Sequence, residues 1–159
     1  MNPIVEIWGR FWGLSGFERL AALEAAAGLA LTSLGLRLAG FRRWKAVVEM
    51  FARASATESR AKGDARAEAG REVARMVAAA ARYMPLRTNC LEQSLVLWWL
   101  LKRHGIAAVL KIGAKKEASR FEAHAWVEFQ GGVAGGPGEE QPAFVPFEGP
   151  GTRMETRTN

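Results

Sequence analysis

Cys90 is the only cysteine of the 159-residue chain, and the residues around it are typical of a reactive thiol. Asn89 is a favourable N-cap and Glu92 follows it by three positions, so Asn89-Cys90-Leu91-Glu92 fits the N-x-x-E variant of the capping box. The pattern predicts Cys90 at the first helical position, where unpaired backbone N–H groups and the positive end of the helix dipole favour a thiolate. The alternative is a buried cysteine that acts as a small hydrophobe.

His124 is the residue that would complete a catalytic dyad. The stretch from Phe121 to Phe129 alternates as a strand does, which places His124, Trp126 and Glu128 on one face. If that face packs over the start of the Cys90 helix, the imidazole takes the thiol proton and later protonates a leaving amine. The alternative is a structural strand histidine. The other histidine, His104, ends the helix that Cys90 begins, and this position favours a C-terminal helix charge over catalysis.

Helical patterns come first along the chain and strand patterns follow, which predicts an α+β fold. The predicted helices cover residues 17–41, 44–54, 65–83 and 90–104, and the predicted strands cover 106–114, 121–129 and 143–147. Residues 55–71 are expected to be a linker or a solvated helix start, 115–120 a turn, 131–142 a flexible loop and 149–159 a frayed tail. In the first helix the spacing predicts one apolar face, made of Leu20, Leu23, Ala27, Leu31, Leu34 and Leu38, as in a buried or interfacial helix.

Composition excludes several classes of protein. One cysteine excludes an internal disulfide and a multi-cysteine zinc site, and we expect no metal or cofactor and a cytoplasmic protein. The net charge of +6 suits acidic partners, but no nucleic-acid-binding signature is present. No signal peptide is recognisable at the N-terminus. The uncharged stretch between Glu24 and Arg37 is too short for a membrane span, although the basic cluster at residues 42–45 leaves membrane-surface association possible.

Taken together, the Asn-Cys-Leu helix start, the helix end Arg103-His104-Gly105-Ile106, and the strand Ala123-His124-Ala125-Trp126-Val127-Glu128 resemble the transglutaminase-like cysteine-protease fold. More narrowly, residues 83–147 resemble the B2 proteins of lasso-peptide biosynthesis, which are leader peptidases. The resemblance implies that Cys90 and His124 are catalytic. It also implies three partners: a precursor peptide, a separate leader-recognition protein and a macrolactam-forming cyclase.

One position departs from the family pattern. The family usually has an aspartate about a dozen residues after the histidine, where it orients the imidazole, and this chain has Gly136 in that region. Glu128, Glu139 or Glu140, or a backbone carbonyl, could take that role, although an exposed loop or strand charge is the more common role of such a glutamate. The third member of a triad therefore stays open.

We therefore expect a helical region over residues 1–82, a transglutaminase-like or papain-like core over 83–148, and a flexible tail over 149–159. In the core, the helix that begins at Cys90 packs on a small antiparallel sheet, and several helices precede it. The expected function is removal of the leader from a lasso-peptide precursor. A non-catalytic transglutaminase-like interaction module and a membrane-surface scaffold remain alternatives, and an acyl-transferring transglutaminase is the closest enzymatic one.

Overall fold

The computed structural model describes residues 12–54, 63–117, 120–134 and 145–146. Within these ranges, three helices precede four strands: α1 Gly16–Ala54, α2 Asp64–Tyr83, α3 Cys90–Arg103, β1 Ala108–Glu117, β2 Arg120–Phe129, β3 Gly132–Ala134 and β4 Val145–Pro146. The strands form an antiparallel sheet in the order β3-β2-β1-β4. The predicted α+β fold is confirmed.

Helix α3 is the central element of the molecule. Its residues 94–98 and 100–101 are all buried, and the core cluster joins it to α1, α2, β1 and β2. A helix that is apolar nearly all round is typical of a buried position. Helices α1 and α2 thus share one core with the helix that carries Cys90, while the predicted division of the chain at residue 82 remains a prediction.

Helix α1 is two helical segments that meet at Gly40. This residue has φ 73° and ψ 168°, a conformation that suits glycine. The break matches the boundary expected between residues 41 and 44. Trp44 lies so close to Gly35 that a Cβ at Gly35 would come within 2.2 Å of the indole. In a straight helix, residues 35 and 44 would be separated by about 13.5 Å along the axis. The close approach of Trp44 to Gly35 therefore shows that the chain bends sharply at Gly40.

The predicted apolar face of α1 is not its buried face. All six of its members are exposed, and its five leucines are between 53% and 78% exposed. The buried face before Gly40 is made mostly of smaller residues, and its members are Ala21, Ala25, Gly28, Leu29, Thr32, Ser33 and Gly35. Gly28 shows why, because a Cβ there would lie 3.0 Å from Val96 of α3. Small side chains allow the two helices to approach closely, and that packing decides which face is buried.

The strands differ from the prediction in two places. β1 runs to Glu117 and β2 begins at Arg120, so the turn predicted over 115–120 is shorter than expected. Gly132–Ala134, expected in a loop, is a strand that forms a hairpin with β2. The connecting residues Gln130 and Gly131 both have positive φ, as a tight two-residue hairpin turn requires. β4 lies at the sheet edge, as Pro146 predicted.

Two predictions concern residues outside the described part of the chain. The tail expected over 149–159 lies outside it, as does most of the loop expected over 131–142. The linker or helix start expected over 55–71 lies partly outside, and its described end forms the first two turns of α2. The described core of α2 agrees with the sequence pattern, since Val73, Met76 and Val77 are buried.

Candidate active site

Cys90 is the first residue of α3, and the predicted capping box is present. The Asn89 side-chain oxygen accepts a 2.9 Å hydrogen bond from the Glu92 backbone N–H, and Glu92 Oε2 accepts one of 2.8 Å from the Asn89 N–H. The thiol is half-buried. The capping box fixes the chain direction at the helix start, so Cys90 is held at the end of α3 where the backbone dipoles favour negative charge.

Glu92 has a second role that the sequence did not indicate. Its carboxylate is 6% exposed, and its other oxygen, Oε1, accepts a 2.8 Å hydrogen bond from Ser33 of α1. Ser33 is itself buried, so both ends of this bond are shielded from water. The carboxylate therefore connects the start of α3 to α1. A buried cap glutamate with a buried serine 59 residues earlier is a pairing that only the folded chain brings together.

His124 is buried in β2 next to an aromatic ring. Its imidazole stacks on Trp126 with 6.3 Å between ring centroids and an interplanar angle of 16°. Burial lowers the pKa of His124 below 6.5, and the nearby Glu122 carboxylate opposes that shift. The imidazole is therefore mainly neutral at pH 7, which is the form that can accept a proton from a thiol.

A buried hydrogen bond joins the two segments that carry Cys90 and His124. Ser94 Oγ, one helical turn after Cys90, donates a 2.9 Å hydrogen bond to the carbonyl oxygen of Ala125. Cys90 lies four residues before Ser94 on α3, and His124 lies one residue before Ala125 on β2. The first two turns of α3 and the His124 segment lie at the same end of the helix–sheet contact.

The two faces of β2 have different surroundings. Val127 and Phe129 enter the core with α3, so the alternate residues His124, Trp126 and Glu128 share the other face of β2, as the sequence pattern predicted. The face that packs on the body of α3 is therefore not the face of His124, which differs from the packing that the predicted dyad assumed. Among the described strands, β3 ends opposite Val127 and does not extend alongside residue 124. Residues 124 and 125 of β2 therefore lie at an edge of the described part of the sheet. Ser94 of α3 donates its hydrogen bond to this part of the strand.

One candidate for the third catalytic residue lies within the described chain. Glu128 Oε1 accepts a 3.1 Å hydrogen bond from the Trp126 indole, which in turn stacks on His124. Glu128 is thus connected to the imidazole through the indole ring. Gly136, Glu139 and Glu140 lie outside the described residues.

His104 lies at the far end of α3, where it is the C-cap residue. Its Nε2 is 3.8 Å from Glu24 Oε2. Burial lowers the pKa of His104, while Glu24 raises it and Arg103 lowers it further. The predicted position at the helix end is confirmed, but a lowered pKa makes the imidazole mainly neutral at pH 7, so the helix charge there comes from Lys102 and Arg103.

An open pocket lies beside the start of α3. It has a volume of about 400 Å³ and is lined by Leu36, Arg37, Phe41, Arg87, Asn89, Leu91 and Glu92. The described residues contain no cluster of histidine, cysteine, aspartate and glutamate that could hold a metal ion. The chemistry available at this end of the molecule is therefore that of a thiol, an imidazole, backbone N–H groups and arginine.

A helix that begins with a capped cysteine and packs on an antiparallel sheet carrying a histidine is the arrangement that the sequence led us to expect of a transglutaminase-like protein. Residues 29–148 match the transglutaminase-like superfamily. The chain belongs to this superfamily. The transglutaminase-like match begins within α1 and includes Cys90, His124 and all residues of the pocket. No curated protein and no solved structure matches the chain. Members of the transglutaminase-like superfamily are often cysteine peptidases.

Helix α1 also has the length and composition of a membrane-spanning helix. Residues Gly16–Ala52 pass that test, and 39% of the most apolar 18-residue window is buried inside the protein. The same test is passed by core helices of soluble proteins. Helix α1 both contributes to the core through its small residues and presents leucines outward.

Proposed function

We propose that this protein is a cytoplasmic cysteine peptidase that removes the leader from a ribosomally made lasso-peptide precursor. The observation that carries the proposal is the position of Cys90, inside a complete capping box at the start of the central helix of a transglutaminase-like domain. The resemblance of residues 83–147 to the B2 leader peptidases supplies the substrate class.

In the proposed mechanism, His124 accepts the proton of Cys90 and the thiolate attacks the carbonyl carbon of the scissile peptide bond. The lowered pKa of His124 supports this role, since a neutral imidazole is required before the reaction. The Cys90 backbone N–H, at the positive end of α3, is the proposed donor to the oxyanion. The imidazolium then protonates the leaving amine, which becomes the new N-terminus, and water hydrolyses the thioester.

The edge of β2 is the proposed meeting place of the thiol and the imidazole. His124 lies on the opposite face of β2 from Val127 and Phe129, so the thiol and the imidazole would meet around the strand edge next to residue 124, with the substrate backbone along that edge. The Ser94 hydrogen bond to Ala125 supports this arrangement because it holds the start of α3 against the same edge.

A separate leader-recognition protein is part of the proposal, and the exposed leucines of α1 are its proposed contact surface. Leu20, Leu23, Leu31, Leu34 and Leu38 are each more than half exposed and follow one side of the helix. An apolar surface of this extent is typical of a protein interface. A macrolactam-forming cyclase would then use the amine that cleavage releases.

The proposal is tested by mass spectrometry of a precursor incubated with the protein and a leader-binding partner. We expect leader and core to appear as separate products with the parent protein, and only intact precursor with Cys90→Ala. Equal cleavage by both proteins would remove the peptidase assignment. Transfer of the acyl group to an added amine, instead of to water, would indicate a transglutaminase.

A membrane-surface scaffold is the second candidate, and the same exposed leucines favour it. They belong to the helix that has the composition of a membrane span, and the basic residues Arg42, Arg43 and Lys45 follow them. Co-sedimentation with vesicles containing anionic lipid, at low salt, distinguishes the two. Binding that is lost in Leu31→Glu and Leu34→Glu variants would favour the scaffold, and no binding would exclude it.

A further inference from the structure

The pocket beside Cys90 combines an apolar floor with positive charge at its rim. Leu36, Phe41 and Leu91 supply the apolar surface, and Arg37 and Arg87 are both exposed at its edge. At about 400 Å³ it is large enough for one extended side chain with its charged end group. The chemistry of the lining therefore suits a ligand with a short apolar stem and an anionic head.

The break in α1 gives the pocket its shape. Leu36 and Arg37 come before Gly40, and Phe41 comes after it, so the three side chains are brought to one site by the change of direction at that residue. A continuous helix would place residue 41 on the same helical face as residue 37, four positions earlier, and would leave no recess between them. The pocket is thus a built feature of the helix break.

Charges within the pocket leave the arginines available to a ligand. Glu92 is the acidic residue among the lining residues, and both of its oxygens are held internally, by Ser33 and by the Asn89 N–H. Within the described ranges, neither Arg37 nor Arg87 forms an ion pair, whereas Arg71, Arg75 and Arg103 each do. Arg37 and Arg87 line the same pocket, and a guanidinium group binds a carboxylate in a bidentate manner.

The position of the pocket relates it to the peptide bond that would be cleaved. Asn89 and Leu91, which line it, are the neighbours of Cys90 on either side. An extended peptide advances about 3.5 Å per residue, so a side chain that enters a pocket lined by both neighbours of Cys90 belongs to a position close to the scissile bond, about three residues away or fewer.

We propose that this pocket is a specificity subsite for a carboxylate of the peptide substrate, bound by Arg37 and Arg87, within three residues of the scissile bond. This inference rests on the proposed function, because it assumes that Cys90 cleaves a peptide. The carboxylate comes either from a glutamate or aspartate side chain or from a free C-terminus. Arg37 and Arg87 act on recognition and do not take part in bond cleavage.

The test uses blocked octapeptides built on the precursor's cleavage sequence, with glutamate placed at each position in turn and matched by glutamine. We expect one position within three residues of the cleaved bond at which glutamate raises kcat/KM by about tenfold over glutamine, as one charge-assisted hydrogen-bonded contact gives. Peptides ending in a carboxylate or an amide distinguish the C-terminal source. Equal rates for glutamate and glutamine at every position, with both termini, would overturn the proposal.

Arginine variants assign the preference to the pocket. Arg37→Gln and Arg87→Gln should each reduce the ratio of kcat/KM for the glutamate peptide over the glutamine peptide to about twofold or less. Arg42→Gln is the matched control, because Arg42 is an exposed arginine of the same helix that does not line the pocket. An unchanged preference in both pocket variants, or the same loss in the control, would contradict the assignment.

A binding measurement separates failure of this inference from failure of the proposed function. The Cys90→Ala protein is titrated in turn with fluorescent versions of each glutamate octapeptide and of its glutamine counterpart. If the parent protein cleaves no peptide, tighter binding of the glutamate peptide that Arg37→Gln abolishes would still support the pocket. Equal binding of the two peptides would overturn the pocket assignment whether or not cleavage occurs.

Discussion

Ser94 Oγ donates a buried 2.9 Å hydrogen bond to the carbonyl oxygen of Ala125, and this bond joins the start of the central helix to the strand that carries His124. Ser94 is fully buried, so water cannot replace the hydroxyl. The relationship explains how a helix terminus and a strand 31 residues later are held in register. It also gives the first prediction about the candidate site.

Ser94→Ala should lower both stability and activity. The Ala125 carbonyl loses a buried donor, which costs about 1–3 kcal/mol in the free energy of unfolding. The shift of α3 against β2 should reduce kcat more than it raises KM, because it changes the position of the reacting groups. Urea denaturation and peptide cleavage kinetics measure the two effects. Ser15→Ala, which removes an exposed cap of α1, is the control and should leave kcat unchanged.

Glu92 and Ser33 should be energetically coupled. Glu92→Gln retains the size of the side chain but weakens its hydrogen bonds to Ser33 and to the Asn89 N–H, at an expected cost of about 1–3 kcal/mol in unfolding free energy. A double-mutant cycle with Ser33→Ala measures the interaction directly, and we expect a coupling energy of about 0.5–3 kcal/mol. Strict additivity of the two single changes would contradict the described contact.

Gly70 should not tolerate a methyl group. A Cβ at this position would lie 2.4 Å from the Phe129 ring, which is buried in the core between α2 and β2. Gly70→Ala should therefore destabilise the protein by about 1–3 kcal/mol, despite the better helix propensity of alanine. Gly16→Ala is the matched control, since nothing lies within 4 Å of its Cβ position. Thermal or urea denaturation of the two variants should give clearly different stabilities.

Acidification should destabilise the fold through its histidines. Burial lowers the pKa of both His104 and His124 below 6.5, so the unfolded chain binds more protons than the folded chain as the pH falls through 6.5. The contribution of the two histidines to the free energy of unfolding is therefore fully present above pH 6.5. It declines as the pH falls below 6.5, until the pH reaches the lower pKa values of the folded protein. His104→Gln should weaken this dependence between pH 7.5 and 5.5, as measured by urea denaturation. An equal pH dependence in the parent and the variant would show that His104 does not contribute.

The sequence predicted the local structure around Cys90 well because the signals there are local. Asn89 and Glu92 form a capping box within four residues, and the alternation around His124 spans a single strand. The buried face of α1 could not be predicted in this way, because Leu34 is exposed and Gly28 is buried only as a result of packing against Val96. Hydrophobicity favoured the leucines, whereas close helix approach required small residues.

The same distinction applies to the site. The bonds from Ser33 to Glu92 and from Ser94 to Ala125 join positions far apart in the chain, and neither serine has a sequence signal that names its partner. The strand Gly132–Ala134 was missed because three residues rich in glycine and alanine carry too little apolar pattern to indicate a strand. Tertiary contacts decided each of these features.

The most direct test of the account compares cleavage of one precursor by three proteins, each supplied with the leader-binding partner. The parent, Cys90→Ala and His124→Ala are assayed for kcat/KM at pH 7.5, after circular dichroism has shown that all three are folded. We expect a loss of about a thousandfold or more in each variant, because the nucleophile or its base is removed. Cleavage by either variant at the parent's rate would contradict it.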